Sequence, residues 1–416
     1  MQQIVVVGAG KSSIALIDYL VTHAATLDWE VVVADRTAEL AYQKTQGRPR
    51  TKAVAIAIDQ ELERRTLLNG AAVVVSMLPA SFHALIAADC LALKKHLVTP
   101  SYISPAMQAM DAEVKQAGLI FMNEMGLDPG IDHMSAMQIF DQLRGEGARI
   151  TGYRSHCGGL VAPESDTNSW HYKFSWNPRN VVLAGQGDGG IRWKENGALQ
   201  EISYHDLFRN TRTIQLGERG TYETYPNRDS LKYAAAYGLE DIATLYRGTL
   251  RVPPFCKAWQ QLVEAGATHA TEPYHFKDES NFDSQFVPML KEIGLFETTN
   301  FNAERPAADD LQVLLESRWV MQPADKDLVV MVHEVDCEKK GVPHQLRSSL
   351  VLEGKDSIHT AMALTVGLPV AIVVKMILTG ALTRTGVLMP NFSEVYNPVM
   401  QELMKLGISF HEEWIS

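Results

Sequence analysis

The chain has 416 residues, more than one ordinary core accommodates, so two or three domains are expected. Its composition, 46% hydrophobic and 21% charged with no low-complexity tract, is that of a globular protein. A formal net charge of −11 argues against nucleic acid or an anionic membrane surface as partner, but leaves room for an anionic small substrate held by local arginines. Four widely spaced cysteines (Cys90, Cys157, Cys256, Cys337) form no CxxC pair, so neither a disulfide framework nor a metal site is expected. No signal-peptide pattern precedes the first strand, and no apolar run reaches the roughly 18–20 residues of a membrane span. The expectation is a cytoplasmic enzyme.

Residues 4–7 read as a short continuous apolar strand, followed by Gly8-Ala9-Gly10 and a helix over about 11–24. Further strands are expected at 31–34, 53–58, 71–76 and 96–99, with a helix at about 81–93 and a closing apolar run at 119–122. Short apolar strands alternating with helices imply βαβ units and a parallel sheet. The run NEMGLDPGIDH (123–133) follows. Pro129-Gly130 forces a turn there, Asp128 and Asp132 flank it, and a helical pattern starts at about Met134. From about 150 the texture changes. Strands are expected at 149–153, 180–183, 328–335 and 346–352; the last two alternate, as in a sheet with one wet face. Residues 230–320 read as mostly helical and charged, and 356–381 as a long apolar helix broken by Gly367 and Pro369. The expected fold class is α/β: a Rossmann-type doubly wound parallel sheet over 1–125, and an α+β mixed-sheet substrate domain over 126–355 with a helical insertion at about 230–320. A C-terminal helical return over 356–416 is expected to pack on the first domain.

Gly8, Ala9, Gly10, Lys11, Ser12 and Ser13 lie between a strand and a helix, the context a dinucleotide fingerprint requires. Gly8 permits the tight turn, Gly10 lets backbone approach a pyrophosphate, and Ser13 stands in for the third glycine. Asp35 ends the second strand, where a carboxylate binds the ribose 2′-hydroxyl of NAD and repels a 2′-phosphate. Arg36 follows and suits that phosphate instead. Local chemistry leans to NAD and keeps NADP open. If the first domain binds a dinucleotide, Asp128 should face the nicotinamide end.

The blocks SYISPA (101–106), NEMGLDPGIDH (123–133), CGGLVAPE (157–164), YKFSWNPRNVVLA (172–184), YPNRDS (225–230), RGTLR (247–251) and TVGLPVAI (365–372) resemble, in order and from end to end, the saccharopine reductase family. These are the glutamate-forming saccharopine dehydrogenases. The resemblance implies a nicotinamide cofactor, usually NADP. It implies cofactor contacts at Ala9, Gly10, Lys11, Ser12, Ala34, Asp35, Arg36, Ser76 and Leu78. Ser101, Tyr102, Ile103, Leu127, Asp128, Pro129, Gly130, Ile131, Asp132 and His133 would lie against the nicotinamide half, with Trp176 close by. For the substrate it points to Ser101, Tyr102, Asp128, Ser175, Arg228, Thr249, Leu250 and Arg251. Lys11 and Asp35 depart from the family's usual residues.

Saccharopine carries three carboxylates, which call for planar bidentate donors and make Arg228 and Arg251 its expected anchors. Asp128 is the expected partner of the amine and the candidate acid–base group; the bland role of an aspartate before proline is a turn. Asp132 and His133 are neighbours and cannot face each other on a helix, so packing or capping is expected of His133. His156, His171 and His333 read as structural, and Cys157 as a small core residue. The function expected is interconversion of saccharopine and water with glutamate and allysine, in lysine metabolism. Rival expectations are a carboxynorspermidine dehydrogenase-like imine reductase, a lysine-forming saccharopine dehydrogenase, and a cofactor-sensing protein without turnover. The partner expected is a small molecule, and a homodimer is the ordinary prior.

Overall fold

The structure is a computed structural model and describes residues 1–187 and 190–415. They divide into two compact units: Met1–Gln142 with Ile358–Ser409, and Leu143–Ser357 with the chain from Phe410 onward. In chain order the strands are β1 (Gln2–Val7), β2 (Trp29–Asp35), β3 (Thr51–Ala55), β4 (Val73–Ser76), β5 (His96–Val98) and β6 (Ile120–Met122). There follow β7 (Arg149–Val161), β8 (Ile191–Glu195), β9 (Ala198–Ile202), β10 (Arg212–Gln215), β11 (Thr221–Pro226), β12 (Thr244–Arg251), β13 (Asp327–Lys339) and β14 (Val342–Glu353). The last two are β15 (Gly386–Leu388) and β16 (His411–Trp414).

In the first unit seven parallel strands run in the order β15-β6-β5-β4-β1-β2-β3. That is the doubly wound order with a seventh strand added beyond β6. The apolar runs are continuous because helices cover both faces. Val5, Val7, Val32, Val74, Leu97 and Phe121 share one core. The helix Ala361–Leu378 packs on the helix Ile14–Ala24 and against β4 and β5. It is continuous through Gly367 and Pro369, not broken there. A Cβ on Gly367 would stand 2.8 Å from the Leu16 nitrogen, so glycine lets the two backbones meet. This helix has the length and apolarity of a membrane span, contrary to the sequence expectation, and 78% of it is buried inside the fold.

In the second unit a mixed sheet runs β10-β11-β12-β7-β13-β14-β16, with the β8–β9 hairpin attached to β12. Only β12 and β7 are parallel along that path. One of its cores gathers Trp170, Tyr172, Phe255, Trp259 and Trp319 under the helices Phe255–Ala265 and Ala307–Arg318. Two expectations are corrected. Residues 180–183 are not a strand: Pro178–Val182 is a helix, N-capped by the Asn177 side chain with proline in its first turn. The stretch 230–320 is not uniformly helical, because β12 crosses it; both its faces are covered, which removes the alternation that reveals a strand.

The opposite face of this sheet carries paired charges. Arg154 bonds Asp336 (2.7 Å), Arg212 bonds Glu195 (2.7 Å) and Arg347 bonds Glu334 (2.9 Å). Buried among them, His156 Nδ1 lies 3.2 Å from Thr224 Oγ1. Burial, reinforced by Arg212 and its arginine neighbours, pushes the His156 pKa down to about 3 from 6.5. The unfolded chain therefore takes up this proton at a higher pH than the folded one. The stabilisation is complete above pH 6.5 and lost as pH falls toward 3. Equilibrium unfolding should show stability declining as pH drops from about 6 to about 4, and His156→Gln should reduce that slope by about 1.4 kcal/mol per pH unit. Equal slopes in the two proteins would rule out His156 as the source.

Candidate active site

The chain after β1, β2, β4, β5 and β6 leaves the carboxyl edge of the parallel sheet, where open α/β sheets bind ligands. The first of these segments is Gly8–Gly10. Gly8 has φ +106°, and a Cβ there would stand 2.8 Å from the Met77 carbonyl oxygen. A Cβ on Gly10 would meet nothing within 4 Å, so the loop is open above this point. No side chain caps the helical start at Lys11–Ser13, and Ser13 N–H turns back to the Gly10 carbonyl (3.2 Å). Open space over an uncapped helix start is what a pyrophosphate requires. Ser13 is buried and donates to the Gly10 carbonyl (2.8 Å). Ala34 lies inside the sheet and meets the loop through its carbonyl, which accepts from Gly8 N–H (2.8 Å). Lys11 and Arg36 are exposed and Ser12 is half-buried.

Asp35 is turned toward the loop. One carboxylate oxygen accepts from Ala9 N–H (2.6 Å) and the other from Arg36 N–H (2.7 Å). It braces the glycine loop from the end of β2. Ser76 is buried at the end of β4, and Leu78 packs on the core below it.

The loops after β5 and β6 are tied together. Glu124 N–H donates to the Ser101 carbonyl (3.0 Å), and Glu124 Oε1 accepts from Ile103 N–H (3.0 Å). Glu124 Oε2 lies 2.8 Å from His133 Nε2, itself 3.6 Å from Asp132 through Nδ1. Sequence reasoning passed over Glu124; a buried acid at φ +55° is the signal it leaves only in three dimensions. The turn around Pro129 closes with Gly126 N–H on the Pro129 carbonyl (2.9 Å) and Gly130 N–H on Asp132 Oδ1 (2.6 Å). A Cβ on Gly130 would stand 2.0 Å from the Gly126 oxygen, so only glycine fits. The helix begins at Ile131, three residues earlier than expected. Leu127, Ile131, Asp132 and His133 are buried, with Asp132 accepting from Gly130 N–H and His133 meeting Glu124. Asp128 is different: it is half-buried, with Tyr102 O–H donating to its Oδ1 (3.4 Å).

In the second unit β12 is the organising strand. Asn227 N–H donates to the Arg247 carbonyl (2.8 Å) and Arg247 N–H to Ser230 Oγ (3.0 Å), which fastens the YPNRDS loop to the RGTLR strand. Strand alternation puts Arg247, Thr249 and Arg251 on one face and Leu250 on the other, where it joins the core of Leu160, Val330 and Val332. The Leu250 contribution on the first face is its carbonyl, which accepts from Arg251 Nη1 (2.8 Å). Arg251 is 2% exposed, and its guanidinium lies over Tyr172 (5.1 Å), Phe255 (5.1 Å) and Tyr225 (5.7 Å). Its Nε has no hydrogen-bond partner among the described residues, and neither has the buried Ser175 hydroxyl. Burial pushes the Tyr225 phenol up to about 12 and also raises the Cys256 thiol, so both stay protonated. Trp176 is half-buried in the same aromatic cluster, its Nε1 donating to the Tyr172 hydroxyl (3.0 Å). Arg228 is exposed in a left-handed conformation at φ +55°. Arg247, absent from the expected substrate set, is buried over the Tyr233 ring at 4.5 Å.

Residues 4–122 match the model of the saccharopine dehydrogenase NADP binding domain, and residues 126–408 match the saccharopine dehydrogenase C-terminal domain. The chain belongs to the saccharopine dehydrogenase family. The family's NADP(+)-dependent, L-glutamate-forming enzyme from Saccharomyces cerevisiae is 31% identical over 100% of both chains. That from Pyricularia oryzae is 31% identical over 93% of this chain and 94% of its own. A solved apo structure of the yeast saccharopine dehydrogenase aligns over 100% of both chains at 29% identity, with a TM-score of 0.88. The uncapped helix start and the open space at Gly10 fit the dinucleotide that the family's N-terminal domain binds.

The placement of Asp35 makes a prediction about cofactor choice. Asp35→Ala should weaken NADPH and NADH together by about tenfold, the loss of one or two hydrogen bonds to a charged acceptor. The ratio of the two dissociation constants should move by less than about threefold, whereas a carboxylate reading the ribose would change it by far more. Tighter NADPH binding with weaker NADH binding in this variant would contradict the bracing role.

Proposed function

We propose that the chain is a glutamate-forming saccharopine dehydrogenase of lysine metabolism. It would interconvert saccharopine, water and NADP⁺ with L-glutamate, allysine (2-aminoadipate 6-semialdehyde), NADPH and a proton. The observation that carries this reading is Arg251. A buried guanidinium with an unsatisfied donor is costly unless an anion completes it, and it occurs, as does the orphaned buried hydroxyl of Ser175, in a chain that matches this family end to end. A substrate with three carboxylates supplies such an anion. A polyamine-condensing imine reductase would instead bring positive charge toward a buried cation, which the same residue disfavours.

The residue roles proposed follow from their chemistry. Arg251 and the exposed Arg228 take carboxylates, the first by a bidentate contact within its aromatic surround. Ser175 and Thr249 offer hydroxyls to the same groups. Asp128, steadied by Tyr102, holds the secondary amine and takes its proton, which has to leave nitrogen before hydride leaves the neighbouring carbon. Bound NADP⁺ is the hydride acceptor. Water then adds to the carbon–nitrogen double bond, and the adduct collapses to allysine and glutamate. A cytoplasmic setting goes with this reading, and the four cysteines are all free and buried.

Mixing the protein with allysine, glutamate and NADPH should deplete the reduced-cofactor absorbance. No oxidation with either reduced nicotinamide cofactor would defeat the proposal, and oxidation with lysine and 2-oxoglutarate instead would identify a lysine-forming enzyme. Arg251→Leu should raise the Michaelis constant for glutamate by roughly 100-fold, equivalent to about 3 kcal/mol for two charged hydrogen bonds. The melting temperature should hold or rise, because an apolar side chain of similar reach suits the aromatic surround. An unchanged Michaelis constant would remove Arg251 from the site.

A further inference from the structure

Beneath the loops of the first unit lies a buried side-chain bridge that the proposed chemistry does not use. His83 stands in the first turn of the helix Ala80–Leu93 and is 5% exposed. Its Nδ1 lies 2.8 Å from Ser76 Oγ, at the end of β4, and its Nε2 lies 2.6 Å from Ser101 Oγ, just beyond β5. Thr99 Oγ1 accepts from Ser101 N–H (3.3 Å) and borders the ring at 3.4 Å from Nδ1. One imidazole therefore spans two neighbouring strand ends. Ser76 and His83 are buried and Ser101 is half-buried, so the chain of contacts runs from the core to a partly exposed residue.

The ordinary reading of such a residue is a core histidine that has found two partners. Two features go beyond it. One partner ends β4 and the other lies just beyond β5, both at the dinucleotide edge, so losing the ring unties the helix after β4 from both at once. The ring is also neutral, since burial pushes its pKa down to about 4. A neutral imidazole has one donor and one acceptor nitrogen, so the two serines take opposite roles. When Ser76 O–H donates to Nδ1, Nε2–H donates to Ser101, and the Ser101 proton is left to point outward. The other tautomer reverses all three.

We propose that His83 is a positioning residue that joins the loops after β4 and β5 and orients the Ser101 hydroxyl toward the nicotinamide half of the bound cofactor. This rests on the assignment of Ser76 and Ser101 as cofactor contacts, and its test uses NADPH alone, without amino-acid substrate. Dissociation constants are read from the fluorescence of bound reduced nicotinamide. His83→Leu, which keeps bulk and removes both hydrogen bonds, should weaken NADPH by about tenfold. Ser101→Ala should do the same, and the double variant should be no worse than either single one, since each removes the same contact. His83→Gln, whose amide reaches the position of Nε2, should recover binding to within about threefold of the parent.

Cys90→Ala, a cavity in the same helix, should lower the melting temperature and leave NADPH binding unchanged. Additive losses in the double variant, or His83→Gln no better than His83→Leu, would overturn the proposal. Should the leucine variant fail to fold, His83→Gln against His83→Asn decides. Asparagine reaches only the position of Nδ1, so glutamine should bind NADPH more tightly, and the reverse order would overturn the proposal. A parent protein that binds NADPH with this coupling but does not turn over saccharopine would sink the proposed function and leave the role of His83 standing.

Discussion

Backbone N–H groups in the loops beyond a parallel sheet have no strand partner, and each one left unpaired costs about as much as a lost hydrogen bond. The first unit answers this with side-chain acceptors. Asp35 takes the amides of Ala9 and Arg36, Thr99 that of Ser101, Glu124 that of Ile103, and Asp132 that of Gly130. Most of these bonds run from one loop to another or brace a turn against itself. The carboxyl edge is thereby fixed before any ligand arrives, and a ligand then pays little ordering entropy to bind there.

That constraint also sorts the acids. Asp35 and Asp132 resemble functional carboxylates in the sequence, yet they accept from backbone amides, as does Glu124, which also meets His133. Asp128 lies in the same turn, stays half-buried and meets the Tyr102 phenol. The second unit shows the opposite imbalance. On one face of its sheet Arg154, Arg212 and Arg347 are paired with carboxylates, while on the other the buried Arg251 pairs with none among the described residues and lies in an aromatic surround. Matched charge is a structural surface; buried donors in excess of acceptors mark a surface that expects an anion.

Much of this was legible beforehand, for physical reasons that can be named. The strands of the first unit are covered on both faces, so they announce themselves as unbroken apolar runs. The glycine loop, Asp128, Ser175 and Arg251 stand in blocks long enough to carry a family resemblance. Reading failed where neighbours in space decide. Asn177-Pro178 is a helix-start signal that outweighed the β-branched residues behind it. The strand β12 hid its alternation by being buried on both sides. The helix Ala361–Leu378 runs unbroken through a glycine and a proline because packing on Leu16 holds it.

By itself, then, the sequence determined the class of sheet, the glycine loop after its first strand and the family, since all three are written in local runs and ordered motifs. It could not say which polar groups face a ligand, because that depends on which backbone amides the fold leaves without partners. Tertiary structure turned Asp35 and Asp132 inward and moved Leu250 to the opposite face from Arg251. It also brought His83 under two loops at once. The physical reason is the same in each case: satisfying buried polar groups is a condition on the whole fold, and no single segment carries the information to meet it.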